Sequence, residues 1–288
     1  MSVALVTDST AYLPAGTVAR HGIQVVSLQV AIGREQHVEG VDVSPTQVAE
    51  ALRRGVRVST SRPAPQLFLD AYEKAAAGGA EAVLSVHISA EMSATVEGAR
   101  LAARQSPVPV EVVDSRVLGM AMGYAVLSAA EAAAGGATLT AAAAVARARA
   151  AAATTIFYVH TLEHLRRGGR IGKASALLGS ALAIKPLLGL EDGHIEPLEK
   201  VRTASRAISR MEERAIAAVN ASAGNAGVDI AVHHLDSPDR AGALVERLRE
   251  RVPVAREVIL VEIGAVVGAH VGPGTIAVVV SPRPAGRA

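Results

Sequence analysis

Side chains able to hold an anion collect at the breaks between apolar runs of this 288-residue chain. Val6-Thr7-Asp8-Ser9-Thr10 closes the first such run. Ser59-Thr60-Ser61-Arg62-Pro63 follows the short strand Arg57-Val58, and His87-Ile88-Ser89-Ala90-Glu91-Met92-Ser93-Ala94-Thr95 follows another. Hydroxyls at a strand end, with the N–H groups of a helix start, can donate to a carboxylate or phosphate. Ser59, Thr60 and Ser61 in one segment, and Ser93 in the other near a helix start that Ser89 could cap with Met92 in its first turn, are therefore candidate anion ligands. Plain N-capping is the competing use of each hydroxyl. In the second half, Leu162–Ile171 ends a short helix at Gly168-Gly169 and presents Arg170, suited to a bidentate carboxylate clamp or an interdomain ion pair. Arg202 lies between a hairpin and a helix. His270 sits alone in Gly268–Gly274, read as a rigid loop, a setting more typical of sites than of cores. Asp114 reads as a cap for a helix beginning near Leu118.

Several chemistries lack their residues. With no Cys there is neither a disulfide nor a thiolate site. No phosphate loop and no G-x-S-x-G elbow occur. His160-Thr161-Leu162-Glu163-His164 matches an inverted zinc-peptidase pattern, but His160 falls at a strand end instead of on a shared helix face, so no metal is expected. His233-His234 reads as structural. Balanced charge, 29 basic against 27 acidic residues, with 2 Phe, 4 Tyr and no Trp, argues against a nucleic-acid partner. Half the residues are apolar, nearly all aliphatic, which suits an alkyl ligand. The start has no basic signal region, and the Ala-rich stretch 125–153 is broken by Glu131, Gly135-Gly136, Arg147 and Arg149. A cytoplasmic protein without stable membrane insertion is expected.

The elements that must carry these residues alternate. Strands are expected at Val3–Thr7, Gln24–Ala31, Ala82–Val86 and Val110–Val113. Helices fall at Ser44–Arg54, Gln66–Ala77, Met92–Gln105, 119–134 and 138–152. That order implies a parallel sheet with helices on both faces. The second half offers a strand Thr155–Val159, a hairpin from Ile184 to Val201 around Asp192-Gly193, helices Thr203–Ala221 and Pro238–Arg251, and strands Val228–His233, Val258–Val261 and Ile276–Val280. These suggest a mixed, largely antiparallel sheet. The expected fold is α/β with two domains, 1–155 and 156–288.

Eight segments in register carry a resemblance: TDST at 7–10, TSRP at 60–63, ISAEMSAT at 88–95, VDS at 113–115, LEHLRRGGRIG at 162–172, KP at 185–186, VRT at 201–203 and GAHVGPG at 268–274. Over nearly its whole length the chain resembles the DegV family, whose members include the bacterial fatty-acid-binding proteins called FakB. It departs in having Arg62 where the family usually has Gln, and Met92 and Ala94 where Leu and Gly often flank Ser93. The resemblance implies a fatty acid in a lipid tunnel between two α/β domains. Thr60 and Ser93 would bind its carboxylate, with Arg170 and His270 near the head group and Arg202 a weaker candidate. Phe68, Leu118, Met120, Ile171 and Leu178 are candidates for the tail. The resemblance further implies no cofactor and no catalysis by the chain itself. A separate FakA-like ATP-dependent kinase would convert the bound acid to an acyl phosphate for phospholipid synthesis. A lipid-ester hydrolase using Ser93 and His270, or a lipid-sensing regulator, are the alternatives.

Overall fold

The computed structural model describes residues 2–178, 185–222 and 227–284. In chain order its first elements are β1 (Val3–Asp8), α1 (Ala15–His21), β2 (Gln24–Val26), β3 (Gln29–Ile32), β4 (Glu35–Val38), α2 (Pro45–Arg53) and β5 (Val58–Ser61). Then come α3 (Pro65–Ala77), β6 (Ala82–His87), α4 (Thr95–Ala103), β7 (Val110–Asp114), α5 (Met120–Ala134) and α6 (Leu139–Ala152). The remainder runs β8 (Thr154–Tyr158), α7 (Glu163–Arg167), β9 (Lys185–Glu191), β10 (His194–Val201), α8 (Ala204–Ala221) and β11 (Val228–His234). It finishes with α9 (Pro238–Arg251), β12 (Ala255–Glu262), α10 (Ala265–Val271) and β13 (Ile276–Pro282).

The chain packs into two compact units: Met1–Gln29 with Ser61–Ala152, and Val30–Thr60 with Ala153–Ala288. A division at 155/156 lies three residues beyond the observed break. It also assigns 30–60 to the first domain, whereas that excursion packs with the second half.

The first unit holds a parallel sheet in the order β2-β1-β6-β7. β6 is buried along its whole length, as a central strand covered on both faces must be. Phe68, Leu69 and Tyr72 of α3, with Ala99 and Ala102 of α4, pack on Val6, Val26 and Val83. The paired helices α5 and α6 pack against β1, β6 and β7, completing a three-layer arrangement. The run 24–31 is not one strand. It splits into β2 and β3 because the Leu28 N–H is taken by Ser9 Oγ, at 3.0 Å, instead of a ladder partner. β3 joins β4 and β5 in a separate three-stranded sheet, order β4-β3-β5.

In the second unit the order is β10-β9-β8-β13-β11-β12. Four of the five pairings are antiparallel; only β11 and β12, linked through α9, run parallel. Apolar stripes of α8 (Ala207, Met211, Ala215, Val219) and α9 (Ala241, Leu244, Val245, Leu248) cover one face. The β9–β10 hairpin turns through Asp192 (φ 48°) and Gly193 (φ 84°), a two-residue turn with both central residues left-handed. The expected first residue of that hairpin, Ile184, lies outside the described residues. α2 starts as its sequence dictates: Ser44 Oγ accepts from the Gln47 N–H while Gln47 Oε1 accepts from the Ser44 N–H.

The opening Thr-Asp-Ser-Thr motif does its work inside the first unit. Asp8 Oδ1 accepts from the Thr10 N–H, and Oδ2 accepts from the Ile88 N–H at 3.0 Å and from His87 Nδ1 at 3.0 Å. His87 Nε2 bonds Ser85 Oγ at 2.6 Å, which bonds Tyr72 Oη at 2.9 Å. The order is that of an acid–imidazole–hydroxyl relay, yet Asp8, His87, Ser85 and Tyr72 are all fully buried and cannot meet a substrate. The network ties the ends of β1 and β6 together below the turn that carries Ser93. Phe68 packs edge-on to His87 at 5.1 Å, so its ring is part of this core. Asp8→Ala removes the acceptor of several buried donors at once and should destabilise the protein by about 3 kcal/mol or more. Urea unfolding measures this, and an unchanged midpoint would show that the network carries no stability.

Candidate functional site

Thr60 is the last residue but one of β5, and its hydroxyl lies 2.8 Å from His270 Nε2. The helix after this segment, α3, has Ala64 at its N-cap and no side-chain cap. Thr60 is therefore not spent on capping; it serves the imidazole. His270 lies in the last turn of α10, not in a loop. Residues 265–271 are poor helix formers by composition, with Val266, Val267, Gly268 and Val271, so tertiary contacts decide their conformation. The Gly-rich part of the expected loop survives only after the helix, where Gly272 (φ 76°) and Gly274 (φ 85°) turn the chain.

Glycine also sets the other wall. A Cβ at Gly168, the residue that ends α7, would overlap His270 Nδ1. A Cβ at Gly272 would likewise overlap the His164 ring. The first glycine of the Gly168-Gly169 pair thus does more than stop a helix; its missing side chain lets the imidazole lie against the backbone. His270 Nδ1 is buried there without a hydrogen-bond partner among the described residues. Arg170 is exposed and curls back, Nη1 donating to the Gly168 carbonyl at 2.7 Å. Burial foremost, and the Arg170 charge second, push the His270 imidazole down to about 4, so it is neutral at pH 7. His164 and His160 are lowered too, each by burial and then by neighbouring cations, Arg167 for the former and Lys185 and Arg240 for the latter.

Thr60, His270 and Arg170 come together in the second unit. Ser93, Ser89 and Met92 form a separate group in the first. There the helix starts later than expected, at Thr95, because Ser89 closes a turn of its own: its carbonyl accepts from the Met92 and Ser93 N–H groups and its Oγ from the Glu91 N–H. Ser93 Oγ pairs with Thr95 Oγ1 at 2.8 Å, and α4 has no side-chain cap. Ser61 is exposed and donates to Gln29 Oε1 at 3.2 Å. Arg202 is exposed between β10 and α8. Asp114 does not cap the following helix; its Oδ1 accepts from the Ala90 and Arg116 N–H groups. Of the tail candidates, Met120 is fully buried at the start of α5, whereas Leu178 is exposed. His160 lies outside α7 while His164 lies inside it, so the two imidazoles do not share a helix face. No metal-binding cluster of His, Asp and Glu occurs among the described residues, and no helix among them is long and apolar enough to cross a membrane.

A sequence profile described as "Uncharacterised protein, DegV family" matches residues 2–283. The chain belongs to the DegV family. A DegV domain-containing protein of Streptomyces coelicolor is 56% identical over 281 residues, 98% of this chain and 99% of that one. Among solved structures, a DegV family protein from Thermus thermophilus, described by its fatty acid binding, superposes with a TM-score of 0.91 at 33% identity, covering 98% of this chain and 100% of that one. DegV from Bacillus subtilis, described as a fatty acid binding protein, gives 0.89 at 30% identity over 98% and 99% of the two chains.

In this DegV protein the lowered His270 makes stability depend on pH. Between 6.5 and about 4 the unfolded chain takes up a proton that the folded imidazole refuses. Stability is therefore full above the ordinary imidazole value and falls as pH drops through that window, by on the order of 3 kcal/mol. His233, also lowered to about 4, adds to the same fall. Unfolding free energy followed from pH 7 to 4 should decline less steeply in His270→Gln, and parallel curves would show that the imidazole is not held neutral.

Proposed function

We propose that this chain binds a long-chain fatty acid and presents its carboxylate to a separate ATP-dependent kinase of the FakA kind, which forms the acyl phosphate. The observation that carries the reading is the Thr60–His270 pair. A neutral imidazole and a hydroxyl pair with each other here, and either can donate to a carboxylate oxygen. Arg170, whose Nη1 donates to the Gly168 carbonyl, would supply positive charge near the carboxylate. Ser93, whose hydroxyl pairs with that of Thr95, is the donor proposed from the first unit. Affinity would come from the tail, at about 0.8 kcal/mol per buried methylene, so on the order of 10 kcal/mol gross for a long chain, part of which is lost in immobilising it. The fatty acid binding described for the Thermus thermophilus and Bacillus subtilis relatives supports the reading.

In this reading the chain itself is no enzyme and needs no cofactor; the kinase brings the nucleotide. A hydrolase built on Ser93 and His270 has weaker support, since the imidazole's hydroxyl partner is Thr60. Lipid extraction and native mass spectrometry of the purified protein should find a long-chain acid. Thr60→Val and Ser93→Ala should each weaken oleate binding roughly 10- to 100-fold, the loss expected for one hydrogen bond to a charged group. An empty protein that also fails to bind added oleate would end the proposal, and unchanged affinity in either variant would remove that residue from the site.

A further inference from the structure

The excursion 30–60 holds α10 at both ends. At its C-terminal end Thr60 bonds His270. In the middle, at Gly268, the helix lies against Leu235 and against Val48 of α2. At its N-terminal end the cap residue is Gly264, which has no side chain to offer the free N–H groups of the first turn. Glu39 reaches in from the segment after β4 and fills that place. Its Oε1 accepts from the Val266 N–H at 2.8 Å, and Glu39 is only 5% exposed. A carboxylate at a helix N-terminus gains from both the hydrogen bond and the positive end of the peptide dipoles.

α10 is only seven residues long and poor in helix formers, too short to hold its own geometry. His270 lies one turn beyond the capped end. We propose that Glu39 is the positioning residue for His270, a remote N-cap that sets the register of α10 so that the imidazole meets Thr60. This rests on the fatty-acid reading for its consequence in binding, but not for its consequence in the imidazole itself.

The test uses the full chain labelled with 15N-histidine, with oleate as the probe. In Glu39→Ala the His270 ring resonances should lose their hydrogen-bonded shift. The His270 titration should move from about 4 toward 6.5, and oleate affinity should fall roughly five- to tenfold, the size of a lost cap. Glu39→Gln keeps an acceptor at the same reach and should stay near wild type in all three. His270 resonances and affinity unchanged in Glu39→Ala would overturn the inference, as would Glu39→Gln behaving like Glu39→Ala. If Glu39→Ala does not fold, Glu39→Asp, one methylene shorter, takes its place against Glu39→Gln. If the wild-type protein binds no oleate, the fatty-acid reading fails while the His270 spectrum still decides the role of Glu39.

Discussion

A hydroxyl and an imidazole 210 positions apart in the chain meet at 2.8 Å, and much of the second unit is arranged to allow it. One comes from the end of a short strand in the excursion 30–60, the other from a seven-residue helix with little propensity of its own. Neither element is stable in isolation, so their meeting depends on packing around them: Val48 and Leu235 at Gly268, and the bare Cα of Gly168 against the ring. Removing water from the imidazole is what keeps it neutral. Neutrality in turn lets it share a proton with a hydroxyl instead of repelling Arg170.

The first unit handles buried polarity differently. Its chain of Asp8, His87, Ser85 and Tyr72 is closed, each group answering the next, and none of the four is exposed. Satisfied networks of this kind rigidify and specify a core. The site in the second unit leaves His270 Nδ1 unanswered, a cost that a packed interior normally avoids. One polar cluster is closed on itself; the other keeps a buried nitrogen pressed against the backbone of Gly168.

Periodicity made most of the architecture legible. The parallel character of the first sheet, the long amphipathic helices α8 and α9, and the Asp192-Gly193 hairpin all follow local rules that a single sequence displays. Elements whose shape is imposed from a distance were not legible. Residues 265–271 look like a Gly-rich loop because nothing local favours a helix; their cap, Glu39, is far away in sequence. The assignment of 30–60 to the second unit depends on contacts that no window of residues reveals. For the site, Thr60, His270 and Arg170 stand out by type and setting. Gly168 hid behind its more common duty of ending a helix, and Asp8 hid because its partners, His87 and the Ile88 N–H, lie some eighty residues away.

The order in which the chain visits its two units has a consequence for dissecting it. The first unit is entered, left after Gln29, re-entered at Ser61 and left again after Ala152, and the side chains of Gln29 and Ser61 touch at 3.2 Å. A short linker joining those two positions would close the first unit as one continuous polypeptide with the excursion excised. The second unit enjoys no such independence. Cut from residue 153 onward, it would lack both the strand that offers Thr60 and the acidic side chain at the start of α10, and would leave His270 without its hydroxyl.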